Sequence, residues 1–319
     1  MGTYPSGRLQ GRATGGHAVI DLAILVFGAE GQLGCELRAR AFEEGIPLYA
    51  VSRSEADIAD STAVRRILAR NTVSVVVNAA AYTKVDQAEF EPDACFRSNA
   101  IGPGVLASAC RDARVPLIHI SSDYVFDGCK SGAYNEDDTI SPLGVYGRSK
   151  ATGENEIRQV LEEHVIIRTS WLYGAYGTNF LKTMLRLARE RDRIDVVADQ
   201  RGCPTATIDL ADALLQVSSA LTARTPVFGT YHFAGSGATT WHGFAVAIID
   251  AQAPLTGRHP HVVPVPTSAY PRPAKRPNNS ELDSSRFVTT FGLEAADWKI
   301  RTTEIVLALF RADSEGGST

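Results

Sequence analysis

An unbroken apolar run, residues 22–29, ends in Gly28-Ala29-Glu30-Gly31-Gln32-Leu33-Gly34 and passes straight into an amphipathic stretch. Strand, glycine turn and helix in that order form the opening of a dinucleotide-binding unit. Glycine permits the tight turn and a close backbone approach to a pyrophosphate, while the helix N-terminus attracts the anion. The spacing is G-x-x-G-x-x-G. With 27 glycines in 319 residues, such a triplet arises by chance about 0.2 times per chain, so its position between strand and helix carries the reading. Gly28 and Gly31 are thus candidate phosphate contacts, against the plainer use of the turn as a helix cap.

From residue 23 onward, short β-branched runs alternate with stretches of helical length. Strands are expected at 23–27, 47–51, 74–78, 116–121 and 164–168, and helices at 32–44, 61–70, 93–113 and 146–163. Parallel strands joined by crossover helices produce this alternation. The expected fold class is α/β: a Rossmann-type doubly wound parallel sheet with a smaller C-terminal α/β substrate lobe. Ligands of such sheets bind at the carboxyl ends of the strands.

Further along, helices are expected at 179–189, 207–223 and 240–250, with short strands near 195–197 and 229–233. Seven prolines in residues 253–277 mark loop or edge rather than central sheet. The section 195–223 is expected to return to the main sheet. The predicted division is an extension or disordered segment at 1–21, a dinucleotide-binding domain at 22–170 with 193–223, and a substrate lobe at 171–192 with 224–319.

Composition narrows the function. With 32 Lys and Arg against 36 Asp and Glu, the chain lacks the basic surplus of a nucleic-acid binder. Five cysteines stand far apart with no C-x-x-C pair, which fits reduced thiols and a cytoplasmic setting. No apolar run reaches membrane-spanning length. No His, Cys or carboxylate cluster has metal-ligand spacing.

Three further places carry chemistry. The second strand ends at Val51-Ser52-Arg53, where an NAD-selective site would carry an acid on the adenosine ribose. Arg53 either neutralises a 2′-phosphate, favouring NADPH or dual use, or is a surface arginine. Tyr146-Gly147-Arg148-Ser149-Lys150 puts a phenol and an ammonium on one helix face at i and i+4. Their pairing suits a proton donor and acceptor. Chance would give the glycine and Y-x-x-x-K patterns together about 0.04 times per chain. Finally, Ser121-Ser122-Asp123-Tyr124 follows the fourth strand, where the Ser122 hydroxyl could bond a substrate carbonyl. Asp123 either serves that site or caps the turn.

These residues resemble the extended short-chain dehydrogenase/reductases, and within them the reductases of dTDP-4-dehydrorhamnose, over about residues 24–283. The narrower signals are Asn78-Ala79-Ala80-Ala81-Tyr82-Thr83-Lys84-Val85-Asp86-Gln87-Ala88-Glu89 and Ser122-Asp123-Tyr124-Val125-Phe126-Asp127-Gly128. They continue with Arg168-Thr169-Ser170-Trp171-Leu172-Tyr173-Gly174, Asp199-Gln200-Arg201-Gly202-Cys203-Pro204-Thr205 and Arg276-Pro277-Asn278-Asn279-Ser280-Glu281-Leu282-Asp283. The resemblance implies that Gly31, Gln32 and Leu33 touch the pyrophosphate and that Asp57 and Ile58 sit against the adenine. Ala79, Ala80 and Tyr82 would line the cofactor, with Asn99 supporting them from the next helix. Ser122, Tyr146 and Lys150 would form the catalytic trio, with Asp123 beside them and Trp171 helping to hold the sugar nucleotide. Where the family usually has Thr, this chain has Ser122, which retains the hydroxyl.

The implied reaction delivers hydride from NADPH, or NADH, to the C4 ketone of dTDP-4-dehydro-6-deoxy-L-mannose while Tyr146 protonates the alkoxide. Lys150 would hold the nicotinamide ribose and lower the Tyr146 pKa. Some members of the family use Mg²⁺ and form dimers; here the carboxylates show no readable ligand spacing, and a homodimer stays open. Arg201, Trp241 and Arg276 are candidates for substrate choice, or else surface and packing residues. Two alternatives share the fold: a reductase of another dTDP-4-keto sugar, and a non-catalytic regulatory subunit like that of methionine adenosyltransferase. Retention of Ser122, Tyr146 and Lys150 favours an enzyme.

Overall fold

Ile24–Phe27 (β1) is apolar and buried along its whole length, as suits a strand inside a parallel sheet covered by helices on both faces. In the computed structural model, which describes residues 22–223 and 227–316, β1 lies between Leu48–Val51 (β2) and Val75–Asn78 (β3). Leu117–Ser122 (β4), His164–Thr169 (β5) and Gly229–His232 follow beyond β3, all parallel. Strand order reverses direction at β1, so the crevice at the carboxyl ends of β1 and β3 is the place for a ligand. The expected α/β doubly wound sheet is present. The expected extension, 1–21, lies outside the described residues.

Alternate side chains of each strand face opposite layers. Ile24, Val26, Val77, Ile118 and Ile167 meet Leu33 and Leu37 of Gln32–Glu43 (α1) and Leu210 and Leu214 of the helix Thr207–Thr222. Leu25, Phe27, Val76 and Ile166 meet Val64 and Leu68 of Ser61–Arg70 (α2), Leu106 of Gly102–Ala113 and Ile157 of Val145–Val160. The start of α2 is fixed by Asp60, whose Oδ1 accepts the Thr62 and Ala63 amides at 2.9 and 3.1 Å. Such a cap contributes about 1 kcal/mol.

Three elements differ from the sequence reading. The single helix expected at 93–113 is broken into Pro92–Phe96, a π turn at Arg97–Ile101 and Gly102–Ala113. Pro103 has no amide to donate to Asn99 four residues earlier, and the wider turn absorbs the missing bond. Of the section 195–223 expected to return to the main sheet, the helix Thr207–Thr222 does so, but the strand does not: Arg193–Val197 pairs in parallel with His261–Val265. Its burial alternates, with Arg193 and Asp195 exposed, a pattern that a fully covered central strand does not tolerate. The sixth strand of the main sheet is instead Gly229–His232, from the section expected in the lobe. Ile194 and Val196 join Leu181, Met184, Phe244, Ile248 and Trp298 in a separate C-terminal core.

Candidate active site

The turn after β1 is shaped by contact with the turn after β3. Gly28 has φ +82°, and a Cβ there would stand 2.5 Å from the Ala80 amide nitrogen. Only glycine fits such a backbone without strain. Ala79 donates its amide to Phe27 O at 3.0 Å, which ties the end of β3 to β1, and Ala80 donates to Asn78 Oδ1 at 3.1 Å within its own turn. Helix α1 starts behind exposed Gly31 with no side-chain cap, which leaves its first amides available to an anion. Among the described residues, the buried Gln32 Oε1 has no hydrogen-bond partner. An uncapped helix start, a glycine cradle and an unpaired polar atom fit a dinucleotide pyrophosphate and its ribose.

The loop expected to meet the adenine carries an ion pair. Asp57 Oδ1 accepts the Ala59 amide at 2.9 Å, and Oδ2 pairs with Arg97 at 3.2 Å. The Ala59 amide, helped by Arg97 and Arg53, holds this carboxyl below its usual range. Ile58 is buried against Gly102. Arg97 was not singled out from sequence, since no motif or periodicity marks it. Asn99 grips Tyr82 at both backbone groups, its Oδ1 accepting the amide at 2.8 Å and its Nδ2 donating to the carbonyl at 3.0 Å. The π turn presents Asn99 to the helix Val145–Val160, where a Cβ on Gly153 would collide with its carbonyl.

That helix carries Tyr146 and Lys150 to the end of β4. Ser122 Oγ donates to Asp123 Oδ1 at 2.9 Å and accepts the Tyr124 amide at 3.1 Å. Burial pushes the Asp123 carboxyl up to about 7, against the opposing pull of the neighbouring Ser280 and Ser122 hydroxyls. Its Oδ2 has no well-formed hydrogen bond among the described residues. The Tyr146 ring packs edge-on against Tyr124, centroids 5.8 Å apart. Lys150 Nζ is buried, donates to Ile120 O at 2.6 Å and lies 3.4 Å from His119 Nε2. Burial lowers its pKa to about 8.

One expectation is corrected here. In the protein alone the Tyr146 phenol is not lowered by Lys150. Burial raises it, and the Ser122 hydroxyl, rather than the ammonium, pulls the other way. A raised phenol is protonated at neutral pH, which is the form a proton donor needs.

A cleft of about 1300 Å³ opens beside this cluster, walled by the C-terminal lobe. Its lining carries Arg191, Arg193, Arg272, Lys275 and Arg276 against Asp127 and Asp195, a surplus of positive charge suited to a diphosphate. Ser122, Tyr146 and Lys150 do not themselves line the cleft; Leu143 and Lys275 on its wall also line a separate small cavity that Tyr146 borders. Arg276 is fixed by Asp86 at 3.0 and 2.9 Å. Trp171, at φ +47°, stacks on Trp241 with centroids 3.6 Å apart. Trp241 lines the cleft, whereas Trp171 and Arg201 do not. Arg201 is exposed and paired with Glu281 at 2.8 Å. Among the described residues, no three His, Cys, Asp or Glu side chains gather as a cation site, and no helix is long and apolar enough to cross a membrane.

The chain is similar to known proteins in sequence and fold. The family model described as RmlD substrate binding domain matches residues 22–310. A dTDP-4-dehydrorhamnose reductase of Aggregatibacter actinomycetemcomitans is 43% identical over 281 residues, which are 86% of this chain and 95% of that protein. The chain belongs to the dTDP-4-dehydrorhamnose reductase family. Two solved structures of the same family superpose on it. The Clostridium acetobutylicum reductase has a TM-score of 0.84 at 37% identity, covering 90% of this chain and 99% of that one. The Bacillus anthracis reductase, in complex with NADP, also has 0.84, at 33% identity, covering 91% of this chain and 100% of that one. Membership of this reductase family accounts for the long motif runs. Beneath the site lie four buried polar residues that received no role from the sequence: Asn78 and Arg168, which open two of those runs, and His119 and Glu154, which lie outside them. Glu154 stands at i+4 from Lys150 on the same helix face.

Proposed function

We propose that the chain reduces the C4 ketone of dTDP-4-dehydro-6-deoxy-L-mannose to dTDP-L-rhamnose, using NADPH. The observation that carries this reading is the partly buried Tyr146 phenol beside Ser122, with a cleft of excess positive charge close by. The hydride is what NADPH supplies when bound. The turn from Gly28 to Leu33 holds the pyrophosphate, with Ala79, Ala80 and Tyr82 along the cofactor and Lys150 on the nicotinamide ribose. Arg53 and Arg97, both beside Asp57, supply charge for a 2′-phosphate, which favours NADPH over NADH. Ser122 Oγ bonds the ketone oxygen, and Tyr146 gives its proton to the oxygen as the alkoxide forms. The cations of the cleft hold the nucleotide diphosphate, and Trp171 helps hold the sugar through Trp241, which lines the cleft and stacks on it.

Purified protein mixed with dTDP-4-dehydro-6-deoxy-L-mannose should consume NADPH, seen as loss of its absorbance, and yield dTDP-L-rhamnose on product analysis. Bound cofactor without oxidation would shift the reading to another dTDP-4-keto sugar or to a regulatory subunit. A second expectation concerns the turn after β1. Gly28→Ala forces a side chain to φ +82° against the Ala80 backbone, a strain of about 1–3 kcal/mol. NADPH binding, measured by fluorescence titration, should weaken about 10- to 100-fold.

A further inference from the structure

Directly beneath the catalytic helix lies a buried polar chain that the reaction described above does not use. Asn78 ends β3, His119 lies beside it on β4 in register, and both are fully buried. Asn78 Oδ1 accepts the Ala80 amide at 3.1 Å, and a backbone N–H can only donate. The other end of the side chain is therefore the NH₂ group, which stands 3.0 Å from His119 Nδ1. Nδ1 must accept, so the neutral ring carries its proton on Nε2. That Nε2–H points at Lys150 Nζ, 3.4 Å away. Two donors face one another whenever Lys150 is an ammonium, whereas a neutral amine offers a lone pair.

We propose that Asn78 and His119 are positioning residues for Lys150: the amide fixes the ring so that a donor faces the amine and disfavours its charged form. The inference rests on the reductase reading, in which the Lys150 ammonium is the working form. The surroundings are consistent with it. Lys150 also faces Glu154 on its own helix and Cys95 on Pro92–Phe96, which both favour the cation against the dominant effect of burial. The Glu154 carboxylate is already shared by Arg168, Arg158 and Ser121. His119 is kept neutral first by burial, then by Lys150, with His164 on β5 and Arg158 on the catalytic helix adding to it. Activity then falls as pH rises through the Lys150 pKa, and strand residues outside the Tyr–Lys motif set where that fall occurs.

The test joins a pH profile with NMR. His119→Leu removes the facing donor, so the alkaline limb of kcat/KM for the sugar nucleotide, at saturating NADPH, should move up by about one pH unit. Asn78→Asp keeps an acceptor for the Ala80 amide but forces the proton to Nδ1. Nε2 then accepts from the ammonium, and the limb should again move upward. A rate lowered equally at every pH, with the limb unmoved in both folded variants, would mean only packing and overturn the proposal. Should neither variant fold, histidine ¹⁵N shifts of the unaltered protein decide: an Nε2-protonated neutral ring supports the inference, and an Nδ1-protonated or doubly protonated ring overturns it. If the unaltered protein leaves NADPH unoxidised, the reductase reading fails separately. The ring tautomer, with a titration of the Lys150 ¹³Cε signal in His119→Leu, still judges the pair.

Discussion

Tyr146→Phe should lower kcat by about 10²- to 10⁴-fold while cofactor and sugar nucleotide bind within a few-fold of their usual affinities. The substitution removes one hydroxyl and keeps the ring, so the edge-on contact with Tyr124 persists and the helix Val145–Val160 has no reason to shift. What disappears is the proton donor, an interaction made as the alkoxide develops and absent from ground-state binding, so the loss falls on kcat rather than KM. Stopped-flow turnover and equilibrium fluorescence binding separate the two. Unchanged turnover would remove Tyr146 from the chemistry.

The residual rate of that variant carries a pH signature. Asp123 stands next to Ser122 with its carboxyl pushed up to about 7 by burial, so it is a donor below that pH and an acceptor above it. With the phenol gone, the remaining turnover should rise as pH falls through about 7, because the protonated fraction of Asp123 rises. A residual rate flat across that range would confine Asp123 to holding Ser122 in place.

Why some of this was legible in the sequence and some was not follows from what each residue depends on. Strands β1 to β5 lie within one residue of their expected ends, because β1 and β3 to β5 are covered on both faces and even the half-exposed edge strand β2 is a short run bounded by turn residues. The glycine turn and the Tyr146–Lys150 pair are equally local. Pairing is not local: nothing in Gly229–His232 itself says that it lies against β5, and nothing in Arg193–Val197 says that it lies against His261–Val265. The break before Pro103 was readable and was missed, since a proline inside a helical pattern removes a bond four residues back. Asn78, His119 and Arg168 lie on buried strands, where a polar residue acquires meaning only from the neighbouring strand's register. Arg201, singled out for its motif, is exposed and paired with Glu281, outside the lining of the cleft.

Arg168→Met should cost about 3–5 kcal/mol of stability, because it strips a buried carboxylate of its main partner. Arg168 donates Nε and Nη2 to the two oxygens of Glu154 at 2.9 and 2.7 Å, and both side chains are almost wholly buried. Its guanidinium also lies over Phe126, 5.2 Å from the ring centre. Burial alone would raise the Glu154 pKa, but the Arg168 hydrogen bonds, with Arg158 and Ser121, hold it below the usual range. The folded pKa is depressed, so this stabilisation is fully present above the ordinary carboxylate pKa and is lost as pH falls through the folded value. In the variant the balance reverses and burial favours the neutral acid. The defect, read from urea unfolding, should therefore be larger at pH 7 than at pH 5, and the melting temperature should drop by roughly 5–10 °C. Arg168→Met combined with Glu154→Gln should recover part of the loss, since no charge is then stranded. A penalty below about 1 kcal/mol, or one independent of pH, would show that Arg158 alone satisfies the carboxylate. Because Glu154 lies one turn beyond Lys150 and accepts from Ser121 Oγ at 2.5 Å, the same pair ties the catalytic helix to β4 and β5. Loss of stability and loss of turnover should thus appear together in the single variant and recede together in the double one.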